Sequence, residues 1–355
     1  MRRFFALCAL VGSMALAACT RTEAPADRPA SLPDDSLSRE QRLENLLNVL
    51  AADSMQGRLV GTEGIHVAAR FLASELERYG VRPAGDDGYL QHVQVARVTR
   101  GGRAGFTLPS ASVSFDTLPS EDILHDEANV VGVIPGADPA MADQVVVIGA
   151  HFDHLGVGRP VDGDSIYNGA DDDGSGSVAV LEIARALVRG TPPKRTVVVL
   201  LSTGEEEGML GTRWYIEHPV EPLDHTVADF QIEMIGRPDS LAGGPGRAWL
   251  TGYQRTTMGD QLAAAGSPIV PDPRPEQRFF FRSDNVPFAM AGIPAHTLSS
   301  FDLHTDYHRP SDEVDRVDFA HMAAVVDAAV QAVRFLADGP KPEWKEGGRA
   351  GLESR

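Results

Sequence analysis

Apolar residues fall into two patterns along this chain. Continuous runs at residues 130–134, 145–150 and 197–201 are rich in valine, leucine and isoleucine and lack polar alternation. A strand wetted on one face would alternate, so these runs predict strands buried on both sides. A further strand is expected at 227–232. Elsewhere the apolar positions follow the helical period. Ala68, Ala69, Leu72, Leu76 and Tyr79 lie on one face of a helix that stops at Gly80, where a left-handed cap costs little. Val178, Leu181, Ala184 and Leu187 predict a second helix, widened by Val180 and Val188. Phe319, Met322, Val326, Val330 and Val333 predict a third behind Asp318, a capping residue. Buried strands alternating with helices predict an α/β three-layer sandwich around a mostly parallel, mixed central sheet.

The N-terminus reads differently. Arg2 and Arg3 precede an apolar stretch at 4–16, which closes on Leu16-Ala17-Ala18-Cys19. The stretch is shorter than the roughly 20 residues that span a bilayer, and the pattern is that of a secretory signal peptide. Leu-Ala-Ala-Cys resembles the bacterial lipobox, which implies a signal at 1–18 and a lipid on Cys19. Residues 19–38 are polar and proline-rich, as a flexible tether would be. A folded domain is expected over 39–340, and residues 341–355 form a polar tail expected to fray.

The 355 residues are 43% hydrophobic and 23% charged, an ordinary globular balance. The net charge of −18 becomes −20 once Arg2 and Arg3 are removed. Such a surface repels phosphate backbones, so no nucleic-acid partner is expected. Membrane contact is expected through the N-terminal lipid only. Cys8 and Cys19 are the two cysteines, both too close to the N-terminus to staple the domain.

In open α/β sheets chemistry gathers beyond the carboxyl ends of the strands. Three of the four expected strands are followed by acids or imidazoles. His151-Phe152-Asp153-His154 follows the run at 145–150, and Gly204-Glu205-Glu206-Glu207-Gly208 closely follows that at 197–201. Glu233-Met234-Ile235-Gly236 follows 232. Asn168-Gly169-Ala170-Asp171-Asp172-Asp173-Gly174-Ser175-Gly176 opens a helix, and His304-Thr305-Asp306-Tyr307-His308 follows the apolar stretch 292–298. Singly, each has a plain explanation as a loop histidine, a helix start or a solvated turn. Together they would crowd like charge at one rim, which costs free energy unless cations neutralise it. Imidazole and carboxylate without thiolate suit Zn2+, with Mn2+ and Co2+ as compatible alternatives.

In their order along the chain, His151-x-Asp153, the Asp171-Asp172-Asp173 loop, Glu205-Glu206-x-Gly208, Glu233-Met234-Ile235-Gly236-Arg237 and Tyr307-His308 resemble the M28 family of co-catalytic zinc peptidases. The resemblance implies that Asp172 bridges two zinc ions, with His151 and Glu233 on one and Glu206 and His308 on the other. It implies that Asp153 hydrogen-bonds the far nitrogen of His151, that Glu205 is the general base, and that Tyr307 stabilises an oxyanion. Many members carry Asp where this chain has Glu233. The activity implied is hydrolysis of a peptide substrate, with aminopeptidase favoured. Alternatives are a carboxypeptidase or dipeptidase of the same family, for which Arg274, Arg278 or Arg282 would hold a carboxylate, a one-zinc glutaminyl cyclase, and a non-catalytic binding lipoprotein. The Phe279-Phe280-Phe281 run is expected either to line a side-chain pocket or to pack in the core.

Overall fold

The computed structural model describes residues 34–110 and 113–352; the expected signal segment, Cys19 and the tether up to residue 33 lie outside them. Five strands organise the centre: β1 (Ala128–Ile134), β2 (Val145–His151), β3 (Thr196–Ser202), β4 (Thr226–Ile232) and β5 (Ala295–Ser299). Among the described residues they belong to a nine-stranded sheet in which β3, β2, β4 and β5 lie side by side and parallel. The flanks are antiparallel: β1 runs against β3, and Trp249–Leu250 runs against β5. The mixed sheet expected from the apolar runs is therefore present.

Those runs lack alternation because both faces of the sheet are covered. Val146, Ile148 and Ala150 of β2 and Val197, Val199 and Leu201 of β3 pack into one core with helices α1 (Arg39–Leu50), α2 (Glu63–Tyr79), α3 (Gly176–Arg189) and α4 (Phe319–Asp338). Val145, Val147, Val198 and Leu200 point the other way, into a second core with Tyr215, Phe280, Phe281 and Phe288. Full burial of each such side chain stabilises the fold by about 1.5–3 kcal/mol. The helix ends follow their residues: Gly80 closes α2 at φ 80°, and the Asp318 carboxylate accepts from the His321 N–H at the start of α4.

Both ends of the domain depart from expectation. Residues 34–38 of the expected tether are seated on the domain: Asp34 pairs with Arg78 at 3.0 Å and Asp35 with Arg189 at 2.9 Å. Ser38 and Gln41 form a reciprocal capping box on α1. The tail, expected to fray from 341, is packed as far as Leu352. The Trp344 indole donates to the Gly292 carbonyl at 2.7 Å, Leu352 is buried in the second core, and Arg255 donates to the Gly348 carbonyl at 2.7 Å. Two isolated apolar residues in a polar stretch suffice, because they cover core that would otherwise be wet.

Candidate metal centre

The parallel strands end in register. Ser202 lies beside His151, and Ile232 beside Leu298, so the segments following β2, β3, β4 and β5 meet at one rim. At its middle stands Asp172. Its Oδ1 is 3.4 Å from His151 Nε2, and its Oδ2 is 3.2 Å from His308 Nε2. His308 Nε2 is also 3.2 Å from Glu206 Oε1. One group that could hold a metal is His151, Asp172 and Glu233; another is His154, Asp172 and Glu206. The donor atoms within each of these two groups lie within 4.8 Å of one another. The five residues expected as ligands are thus brought together, with His154 as an addition whose role the sequence had not disclosed.

Four of the converging atoms, His151 Nε2, His154 Nδ1, Glu206 Oε1 and His308 Nε2, are buried and take no hydrogen-bond partner among the described residues. A buried polar atom left unpaired costs about 1–3 kcal/mol. Four such atoms facing one another fit divalent cations, whose bonds to them would replace the missing hydrogen bonds.

Neighbouring carboxylates are turned away from this cavity by backbone N–H groups. Asp171 accepts from Gly236 N–H at 2.7 Å, and Asp173 accepts from Gly176 and Met234 N–H at 2.9 and 3.0 Å. Asp312 accepts from the N–H groups of Asp171 and Asp172 at 3.0–3.1 Å. The two oxygens of Asp153 accept from Glu205 and Glu206 N–H at 3.0 and 3.2 Å. Asp153 was expected to bond the far nitrogen of His151. Its carboxylate stands 3.5 Å from Nδ1, and its main-chain carbonyl at 3.3 Å makes that bond. Asp153 therefore ties the histidine segment to the glutamate turn.

Crowding of acids governs the protonation equilibria. Burial opposes the charged form of His308, yet contact with Asp172 and Glu206 pushes its pKa up to about 10. Burial, reinforced by the charge of Asp172, pushes Glu233 up to about 7. Glu205 is held well above the usual carboxylate range, chiefly by burial and then by Glu233, Asp284 and Glu206. The part of each shift that comes from neighbouring carboxylates records a negative potential at the rim, which a bound cation would relieve.

A narrow cavity opens onto the cluster, lined by Asp172, Glu205, Glu206 and Glu233 together with Met234, Trp249, Phe279, Phe301 and Tyr307. Tyr307 is half-buried and stacks on the His308 ring at 3.8 Å between centroids. The triple phenylalanine divides. Phe279 lines this cavity, while Phe280 and Phe281 turn into the second core beneath the Arg255 guanidinium. The three arginines divide too. Arg274 is buried against Asp239, Arg278 lies over Phe281 beside another cavity, and Arg282 lines the site, its guanidinium 5.1 Å from the Phe279 ring centre.

Comparison with known proteins agrees with this architecture. The structure resembles that of an aminopeptidase from Aneurinibacillus sp. strain AM-1, at a TM-score of 0.59 and 17% identity, covering 86% of this chain and 95% of the other. In sequence, a vacuolar membrane protease of Tuber melanosporum is 32% identical over 130 residues, 35% of this chain and 12% of that protein. Aminopeptidase YwaD of Bacillus subtilis is 26% identical over 224 residues, 58% of this chain and 44% of that protein. The chain thus spans less than half the length of either of these two curated relatives. The pattern described as Peptidase family M28 matches residues 129–333, which include every acid and imidazole of the rim, and the chain belongs to that family.

Proposed function

We propose that this protein is a two-zinc exopeptidase that releases N-terminal residues from peptides. The observation that carries the proposal is Asp172, whose two oxygens face separate donor groups while Glu205 lines the same cavity. His151 and Glu233 would hold one ion and Glu206 and His308 the other, with Asp172 shared. When bound, zinc supplies Lewis acidity and lowers the pKa of water. Glu205, whose burial raises its affinity for a proton, accepts the proton of the attacking water and returns it to the leaving amine. Asp153 fixes the turn that presents Glu205, through the two N–H groups it binds. Tyr307, in the cavity wall beside His308, donates to the developing oxyanion. The carboxylates of the rim attract a substrate ammonium, which favours a free N-terminus. Met234, Trp249, Phe279 and Phe301 offer an apolar side chain a dry wall.

A second reading, cleavage of a substrate held by its terminal carboxylate, is favoured by Arg282 in the cavity lining. Zinc-loaded protein assayed on N-terminally free, N-acetylated and C-amidated peptides separates the two. The first reading expects N-acetylation to abolish cleavage and C-amidation to be tolerated; the reverse pattern would overturn it in favour of the second. We also propose an exported protein anchored in a bacterial envelope through a lipid on Cys19, which the Leu16-Ala17-Ala18-Cys19 sequence supports.

A further inference from the structure

We propose that His154 is a further metal ligand, its Nδ1 joining Asp172, Glu206 and His308 at the second metal position; this rests on the two-zinc reading above. His154 is fully buried in the segment that follows β2. Its Nδ1 lies 2.9 Å from Glu206 Oε1 and 4.0 Å from Asp172 Oδ2, yet neither ring nitrogen takes a hydrogen-bond partner among the described residues. A nitrogen this close to a carboxylate oxygen needs a proton or a cation between the two atoms for the contact to be attractive, and one cation shared with Asp172 would serve all three groups. Nitrogen and oxygen donors that share one zinc at about 2.0–2.1 Å lie roughly 3–3.5 Å apart in a tetrahedral site, and the contacts of His154 with Glu206 and of His308 with Glu206 and Asp172 fall close to that spacing.

Packing, rather than hydrogen bonding, sets the orientation of the ring. Gly169, at φ +55°, lies against it so closely that a Cβ there would sit 2.5 Å from His154 Cγ. The opposite constraint is the His308 ring, edge-on at 5.6 Å between centroids. An imidazole held this firmly against a carboxylate pair is pre-organised for a cation, not merely adjacent to one.

The proposal makes the two positions unequal. The one served by His151, Asp172 and Glu233 has three protein donors and room for water; the other would have four and be closed, the arrangement of sites that retain metal. Chelator-competition titrations should therefore resolve two unequal zinc affinities in the full chain. In His154→Ala and in His154→Asn the tighter affinity should weaken at least tenfold, with the weaker one nearly unchanged. Asparagine places an amide near the position of Nδ1 and can hydrogen-bond Glu206, but it is a poor zinc ligand. A merely supporting histidine would therefore be rescued by Asn, and wild-type zinc affinity in His154→Asn would overturn the proposal. Should either variant fail to fold, X-ray absorption on the wild-type zinc protein decides. Three imidazoles distributed over two zinc ions support the proposal and two refute it. Binding of a single zinc by the wild type would instead overturn the two-zinc reading, and this proposal with it.

Discussion

Arg58 is where the stability of the domain and the shape of the metal centre meet. The residue is fully buried, and its guanidinium donates to four main-chain carbonyls: Phe152 at 2.6 Å, Leu50 at 2.9 Å, Asn168 at 2.6 Å and Gly169 at 3.0 Å. Burial pushes its pKa down to about 10, against the pull of Asp153, Asp312, Asp172 and Asp173, so it remains charged at neutral pH. A turn at Gln56, Gly57 and Arg58 with positive φ throughout aims it inward. Gly57 is required there, because a Cβ would meet the carbonyls of Tyr167 and Gly156 at 2.5 and 2.6 Å. Arg58→Ala leaves the buried carbonyls of Phe152, Leu50 and Asn168 unpaired and Gly169 with the Gly174 N–H alone, each lost bond worth about 1 kcal/mol or more, with water entering the vacated space to recover part of the loss. The net destabilisation should be about 4 kcal/mol, in the range for removing a buried compensating charge. Arg58→Lys keeps the charge but lacks the planar fork of donors, and should lose roughly half as much. At about 2 °C per kcal/mol for a chain of this size, chelator-treated protein should melt roughly 8 °C lower for Ala and 4 °C lower for Lys. Three of the bonded carbonyls, those of Phe152, Asn168 and Gly169, belong to the segments bearing His151 and Asp172, so zinc affinity should fall as well. A melting temperature within 2 °C of wild type together with unchanged zinc affinity would refute the reasoning.

Glu205→Gln should keep its zinc while losing ~100- to 10,000-fold in turnover, whereas Glu206→Ala should lose zinc; equal depletion in both by metal analysis would reverse the assignment. Tyr307→Phe should lower kcat and kcat/KM together by about 10- to 1,000-fold with unchanged zinc content, and an unaltered kcat in the loaded variant would make Tyr307 a packing residue only. His296 is buried with Nδ1–H donating to the Thr251 carbonyl at 2.6 Å, and its pKa is pushed down to about 4 by burial. The unfolded chain protonates this histidine from about pH 6.5 and the folded one only near 4, so stability falls as pH drops through that window, by about 3 kcal/mol from this residue. Urea unfolding of zinc-free protein at pH 7 and 4.5 should show a smaller pH dependence in His296→Gln, and an identical dependence would remove His296 from the account. If Cys19 is lipidated as proposed, Cys19→Ala should move the protein from membrane to soluble fractions without changing its activity, and an unmodified residue 19 in the wild-type protein, seen by mass spectrometry, would refute lipidation.

What the sequence disclosed and what it concealed divide along physical lines. The buried strands and the helices around them were legible because burial on both faces of a sheet, or on one face of a helix, writes a local pattern. The rim clusters were legible because each directly follows or precedes such an element. Arg58 and Asp312 were not legible, since their partners are main-chain carbonyls and N–H groups distant in sequence, which leave no mark in residue identity. The strands Gly156–Val161 and Asp164–Tyr167, and the pair Val95–Arg100 and Arg103–Thr107, escaped for a different reason. They form small sheets apart from the central one, and the first pair is largely exposed, so no apolar run announces them. His154 stood in plain view three residues after His151. Spacing in a loop has no period, however, so nothing short of the three-dimensional arrangement could bring its ring to Glu206.

The same contrast explains why three consecutive aspartates behave so differently. Charge alone would make Asp171, Asp172 and Asp173 equivalent competitors for a cation. The chain distinguishes them by supplying hydrogen-bond donors unequally: Asp171 and Asp173 meet the N–H groups of Gly236, Gly176 and Met234, and Asp171 also meets His304 Nε2 at 3.0 Å. The side chain of Asp172 faces imidazoles instead, and the N–H of that residue is secured by Asp312. A carboxylate oxygen already bonded to backbone donors gains little from a metal, because coordination would first break bonds already made; the second oxygen of Asp173 makes no such bond, and burial raises the pKa of that carboxyl well above the usual range, favouring a neutral acid over a ligand. The selectivity of this loop therefore resides in the N–H groups around it. Replacing Asp312 should blur the distinction among the three aspartates before it alters any ligand.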